Sequence, residues 1–229
     1  AAGNFHAQGA AVDLSGSKNS ASTMALVATQ GDLDTAGATS VAAETLSVQA
    51  SSTGATWIND GGTAKAGQLA VSAANIRNAG GGAIVQTGTA DLALTVADAT
   101  GRAGRIDNSG GTIASNATPR INPASLANQG GVLSAAGGAA LQLNVLGELK
   151  NSQGLISSET ALRIDSGALD NDAGLIQSGG NLTIDTHGQQ LTNQNAAQFA
   201  GAGADAGQGG ISSAGTLTLV TGLLKNKGG

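Results

Sequence analysis

The chain has 229 residues, a formal net charge of −5 and only 11% charged residues, so it lacks the clustered Lys and Arg that a nucleic-acid-binding surface needs to neutralise phosphates. Cysteine is absent, which excludes disulfides, thiolate metal sites and cysteine nucleophiles together. With 37 glycines, two prolines and three aromatics (Phe5, Trp57 and Phe199), any core must be narrow and built from Leu, Ile, Val and Ala.

Glycine at this abundance suggests disorder, yet the apolar residues are regularly spaced and the mean hydropathy is slightly positive, which favours an ordered chain. No run of about 18 apolar residues exists that could span a bilayer as a helix. The chain opens on Ala1-Ala2-Gly3-Asn4, without Met or a charged-then-apolar leader, and reads as a piece of a longer or processed protein. Freedom from cysteine suits a secreted bacterial protein that crosses an envelope unfolded.

Residues 1–56 repeat only faintly. Val12-Asp13-Leu14, Met24-Ala25-Leu26 and Leu46-Ser47-Val48 keep an apolar–x–apolar alternation, and Leu33-Asp34-Thr35-Ala36-Gly37 carries Thr where later copies carry Asn. These predict degenerate turns of the structure that follows. From Trp57-Ile58-Asn59 the series is clear: Asn59, Asn78, Asn108, Asn128, Asn151, Asn171, Asn193 and Asn226 recur at gaps of 19, 30, 20, 23, 20, 22 and 33 residues. Each follows an apolar residue two positions back and has Gly or Ala three positions on. An apolar residue usually returns five positions on (Ile113, Leu133, Ile156, Ile176), and an alternating phrase such as Leu162-Arg163-Ile164 or Leu182-Thr183-Ile184 comes later.

Strands this short, joined by Gly-rich corners at a period near twenty, predict a solenoid whose units cannot bury their apolar faces alone. The returns have no helical periodicity, so the expected fold is all-β: a parallel β-helix of about ten coils, roughly 50 Å long at about 4.8 Å per coil. Residues 1–229 are read as one β-helix segment, with clear repeats over 57–229. Two long gaps predict looped-out corners near 98–105 and 200–210, and Pro119 and Pro123 predict a local break in one face. The repeated Asn are expected to hydrogen-bond along the axis as a ladder, and the Gly after each to relieve a corner of positive φ.

The residue before each Asn should point outward. That column reads Ile58, Arg77, Asp107, Ala127, Lys150, Asp170, Thr192, Lys225 and pairs Arg77 with Asp107 and Lys150 with Asp170.

Asn108-Ser109-Gly110-Gly111-Thr112-Ile113 and Gly174-Leu175-Ile176-Gln177-Ser178-Gly179-Gly180-Asn181-Leu182-Thr183-Ile184 resemble the haemagglutinin repeats of the filamentous haemagglutinin family, which includes adhesins and contact-dependent inhibition exoproteins of Gram-negative bacteria. The resemblance covers about residues 57–229 and is weak before them. It implies a right-handed β-helical shaft of a large protein, exported through an outer-membrane two-partner transporter, secreted or held at the bacterial surface, and meeting a host-cell or bacterial receptor or glycan. The family's Asn-Pro-Asn secretion motif is missing, Ile121-Asn122-Pro123-Ala124 departing from it, so no secretion recognition is assigned to this chain.

The expected function is therefore a structural and adhesive shaft without enzyme activity, cofactor or metal. The alternatives are a glycan- or heparin-binding module and a polysaccharide-degrading β-helix. Arg102, Arg105 and Arg120 are the candidate polyanion contacts, against a plain reading as solvated turns. Asp170, Asp172, Asp185 and His187 are the nearest to a carboxylate pair for glycoside chemistry, but Asp170 and Asp172 fall at positions that other coils fill with Arg77, Lys150, Ala79 or Ser152. His6 and His187 lack evident metal-ligand partners. Gly201 to Asp205 faintly resembles one calcium-binding turn, against a plain reading as an inserted loop.

Overall fold

In the computed structural model, which describes residues 3–201 and 207–229, the strands form three faces, and those of each face stack in parallel on the coils before and after. The face preceding the Asn corner is the clearest. Its ten strands run in chain order from Val12–Asp13 to Leu223–Lys225, so the solenoid makes nine steps, matching the expected all-β repeat fold. The other two faces, which follow the Asn in each coil, merge into one 16-stranded sheet because three early strands run round the corner between them.

Those three strands, Lys18–Ala28, Thr39–Ala50 and Thr63–Ala73, lie mainly in the part of the chain where the sequence repeat is faintest, and they are the longest in the molecule. Each turns the corner through a register shift, between Ala21 and Thr23 and between Ala42 and Thr45. A Cβ at Gly67 would lie 2.9 Å from the carbonyl oxygens of Ala43 and Glu44, so the bend needs glycine there. From Ala83–Gln86 onward the corner opens and the long strand splits in two. Gln86 is buried at that split: its Oε1 accepts from Leu69 N at 2.9 Å and its Nε2 donates to Ala90 O.

The repeat phrases become columns inside the rod. Leu33, Trp57, Ile76, Ile106, Leu126, Leu149, Leu169 and Leu191 stack in register on the ten-stranded face, and all are buried. Ile84, Ile113, Leu133, Ile156 and Ile176 form a second buried column, and Leu94, Ile121, Leu143, Ile164 and Ile184 a third. Every rung covers the apolar side chains of its neighbours at about 2 kcal/mol for each large aliphatic residue, which one isolated coil could not do. On the last described coil Leu217, Val220, Leu223 and Leu224 are exposed.

The prolines do not break their face. Pro119 opens the strand Pro119–Ile121, pairs in register with Leu92 and is buried, because the first residue of a strand can lose its N–H at little cost. The strand is only shortened. The looped-out corner near 98–105 is a small hairpin closed by an antiparallel bridge between Ala97 and Ala103, and Arg105 already belongs to the strand Arg105–Asp107. Of the predicted loop near 200–210, residues 202–206 lie outside the described residues, and with them most of the calcium-turn resemblance.

Candidate functional site: the asparagine corner and the charged corners

The eight repeated Asn lie at one corner and form the expected ladder with a single polarity. Each Nδ2 donates to Oδ1 of the next Asn, at 2.7 Å from Asn59 to Asn78 and at each step up to Asn171, then 2.8 Å to Asn193 and 2.6 Å to Asn226. From Asn59 to Asn171 the same amide also donates to a Gly carbonyl in its own coil and to a carbonyl at the start of the next strand. Asn151, for example, reaches Gly154 O at 3.1 Å and Leu175 O at 3.3 Å. Asn78, Asn108, Asn128, Asn151 and Asn171 have no exposed surface, so these amides have no water to fall back on.

The glycine pair after the Asn serves two purposes. The first residue carries the positive φ: 60° at Gly61, 66° at Gly110 and 61° at Gly130, with Gln153 at 58° and Ala173 at 49° in later coils. The second is glycine for space. A Cβ at Gly111, Gly131, Gly154 or Gly174 would collide with the carbonyl oxygen of the Asn one coil back and with Oδ1 of its own Asn. Sequence reasoning supplied only the φ argument.

A second polar corner escaped notice in the sequence. Ser158 and Ser178 stand seven residues after Asn151 and Asn171 and stack on each other in register, and Ser213 stacks in register on Ser178. Each hydroxyl donates to a carbonyl of the coil below (Ala139 O at 3.0 Å, Thr160 O at 2.5 Å, Gly180 O at 2.7 Å) and each oxygen accepts a backbone N–H two residues on. The signal was a Ser seven residues after the Asn, present also at Ser115.

The outward column is in the predicted register, Arg77 beside Asp107 and Lys150 beside Asp170, but the expected ion pairs do not form. Arg77 pairs with Asp60 at 2.5 Å, and Lys150 with Glu148 at 3.2 Å. The hydrogen bond and charge of Asp60 raise the Arg77 pKa. The aspartates instead fold the corner. Asp107 accepts from Ser109 N at 3.0 Å and Asp170 from Asp172 N at 3.0 Å, and Asp13 and Asp34 do the same in the first coils. Turn formation explains why Asp13 and Asp34 tolerate being directly stacked with like charge.

The catalytic-looking residues fall on two different corners. Asp170 and Asp172 stand at the Asn corner, where Asp170 also accepts from Ser152 Oγ at 2.9 Å and Asp172 from Asn195 Nδ2 at 2.7 Å. Asp185 and His187 stand at the opposite end of the ten-stranded face. There the structure supplies partners for His187 that the sequence did not reveal: ligating atoms of Asp165, Asp185 and His187 lie within 4.8 Å of one another. Asp165 is already held by two 2.6 Å hydrogen bonds from Arg163, and Asp185 accepts His187 N at 2.8 Å. His6 lies near the other end, within hydrogen-bond distance of Gln8.

The three candidate arginines do not converge. Arg120 points out from the strand Pro119–Ile121, donates to Gln142 Oε1 at 2.7 Å and pairs with Asp91 at 3.4 Å. Arg102 and Arg105 line one notch at a different corner, beside Asp98 and Asn75. No helix among the described residues is long and apolar enough to cross a membrane. Comparison with protein-family models, with curated proteins and with solved structures finds no match to this chain.

Proposed function

We propose that this chain is a structural and adhesive shaft segment of a filamentous-haemagglutinin-like protein at the surface of a Gram-negative bacterium, exported through a two-partner transporter and projecting distal domains towards host or neighbouring cells. The observation that carries this reading is the unbroken line of side-chain hydrogen bonds from Asn59 to Asn226, which ties eight successive rungs together along the axis. Its repeated polar residues serve the rod itself: the Asn amides pair with one another, and Asp107 and Asp170 fold turns. Such a rod gains length by adding rungs without changing its cross-section.

The test removes whole rungs. Deleting residues 109–193 joins Asn108 directly to Gln194 and takes out four ladder steps while preserving the phrase. The exported parent protein should remain folded and displayed, and electron microscopy should find it shorter by roughly 20 Å, at about 4.8 Å per rung. Loss of a specific catalytic turnover on a polysaccharide panel, with length unchanged, would replace the shaft reading by the enzyme reading.

A further inference from the structure

Three of the five arginines, Arg77, Arg120 and Arg163, are paired with an aspartate. Arg102 and Arg105 are in no salt bridge among the described residues, and both line the same notch of about 330 Å³. The notch is a product of the coil irregularities. Below it the corner over residues 51–55 loops out, above it the Ala97–Ala103 hairpin does so, and the tight corner of the coil between them, at Ala74 and Asn75, forms the floor. The hairpin is pinned across that gap by Ala99 N donating to Ser51 O at 2.6 Å, and Arg105 is fixed by its N–H donating to Asn75 Oδ1 at 3.1 Å. Ser52 Oγ, in the lower corner, is a buried side-chain polar atom with no hydrogen-bond partner among the described residues.

We propose that this notch binds one acidic sugar residue, with Arg102 and Arg105 taking its anionic group and Asp98 accepting one of its hydroxyls. Two arginines lining one notch suit a planar carboxylate or a sulfate ester. The carboxylate of Asp98 selects among anions. Its Oδ1 is occupied by Thr100 N at 2.9 Å, Thr100 Oγ1 at 2.6 Å and Arg102 N at 3.1 Å, while Oδ2 accepts no hydrogen bond among the described residues. The Thr100 hydroxyl, with the two backbone N–H groups and the Arg102 charge, lowers the Asp98 pKa, so the group stays ionised at neutral pH. A fixed negative charge in the notch disfavours a bare inorganic anion, whereas a hydroxylated monoanion gains a hydrogen bond from it. The site is thus a discrete one for a single sugar, with Arg120 outside it. It stands whether or not the shaft reading holds.

The test is a titration of the ¹⁵N-labelled chain with glucuronate, glucose 6-sulfate, glucose and inorganic sulfate, followed at the arginine Nε–H signals. Glucuronate or glucose 6-sulfate should move Arg102 and Arg105 together and saturably, and the preferred one of the two identifies the anionic group. Arg102→Ala and Arg105→Ala should each weaken binding about tenfold or more, as expected for losing a charged hydrogen bond, and Arg120→Ala should leave it unchanged. Asp98→Asn, which retains the Oδ1 acceptor that folds the hairpin, should improve inorganic sulfate relative to the sugars. The proposal is overturned if neither acidic sugar shifts these signals, if glucose or inorganic sulfate binds as tightly as the acidic sugars, or if the double Arg variant, folded by circular dichroism, binds as well as the parent.

Discussion

Thr35 lies directly below Asn59 and closes the ladder, its hydroxyl shared between Asn59 Oδ1 at 3.0 Å and Ile58 O at 2.9 Å while accepting the indole N–H of Trp57 at 3.0 Å. A ladder in which every amide donates upward leaves its lowest oxygen in need of a donor. A hydroxyl supplies one and also accepts from the indole. Thr35→Val should leave a buried carbonyl oxygen and a buried indole N–H unpaired, at about 1–3 kcal/mol for each. Thr35→Ser should stay close to the parent. Urea denaturation of the two variants measures the difference, and equal midpoints would remove Thr35 from the ladder.

Within the ladder the isosteric change Asn151→Asp separates hydrogen bonding from packing. The new oxygen would face Asn171 Oδ1, Gly154 O and Leu175 O, all acceptors, in a site with no exposed surface. We expect a loss of about 3 kcal/mol or more at neutral pH. Burial raises the carboxyl pKa in the folded state, so the penalty is smallest below the unfolded value of about 3.9 and grows as pH rises above it. Asn226→Asp, in an exposed rung, should cost far less. Stability that does not depend on pH in Asn151→Asp would contradict this account.

The two glycines of a corner should respond differently to alanine. At Gly130 a Cβ meets nothing within 4 Å and only the left-handed backbone is strained, at about 1 kcal/mol. At Gly154 it collides with the carbonyl of Asn128 and the side chain of Asn151, so the rungs must separate and the cost should be about 3 kcal/mol or more. Thermal melts of the two single variants test the order.

At Asp170 the turn outweighs the ion pair. Since Lys150 is bound to Glu148 and Asp170 to Asp172 N, Asp170→Ala and Asp170→Lys should destabilise alike, within about 0.5 kcal/mol, and Asp170→Asn should be nearly neutral. A much larger loss for Lys, abolished by salt, would restore the charge pairing predicted from the register.

The hairpin over residues 97–103 should loosen in acid. The Asp98 pKa is lowered from 3.8, so the stability it contributes is present above that value and is lost as pH falls through the folded value below it. The protection of the Thr100 and Arg102 amides against exchange, relative to the intrinsic rate at each pH, should therefore fall below pH 3.8 in the parent, and already at neutral pH in Asp98→Ala.

Much of the rod was legible because a solenoid writes its contacts into the chain period. Asn151 and Asn171 touch because they are one coil apart, and the same spacing superposes Ile156 on Ile176. The faint repeat before residue 57 hid three regular rungs, because strands that run round a corner need no Gly-rich phrase to mark it. The charged residues were the least legible: the register placed Lys150 beside Asp170, yet side-chain reach gave Lys150 to Glu148 in its own rung.

By itself, then, the sequence determined the period, the three buried columns and the Asn ladder, since each depends only on which residues recur at one coil's distance. Only the tertiary structure decided the rest. The need for a second glycine at each corner arises from a carbonyl one rung away, the end of the ladder at Thr35 depends on its direction, and the notch of Arg102 and Arg105 exists because loops from two different coils project on either side of a third. Those relations join residues at irregular separations, where no repeat reports them.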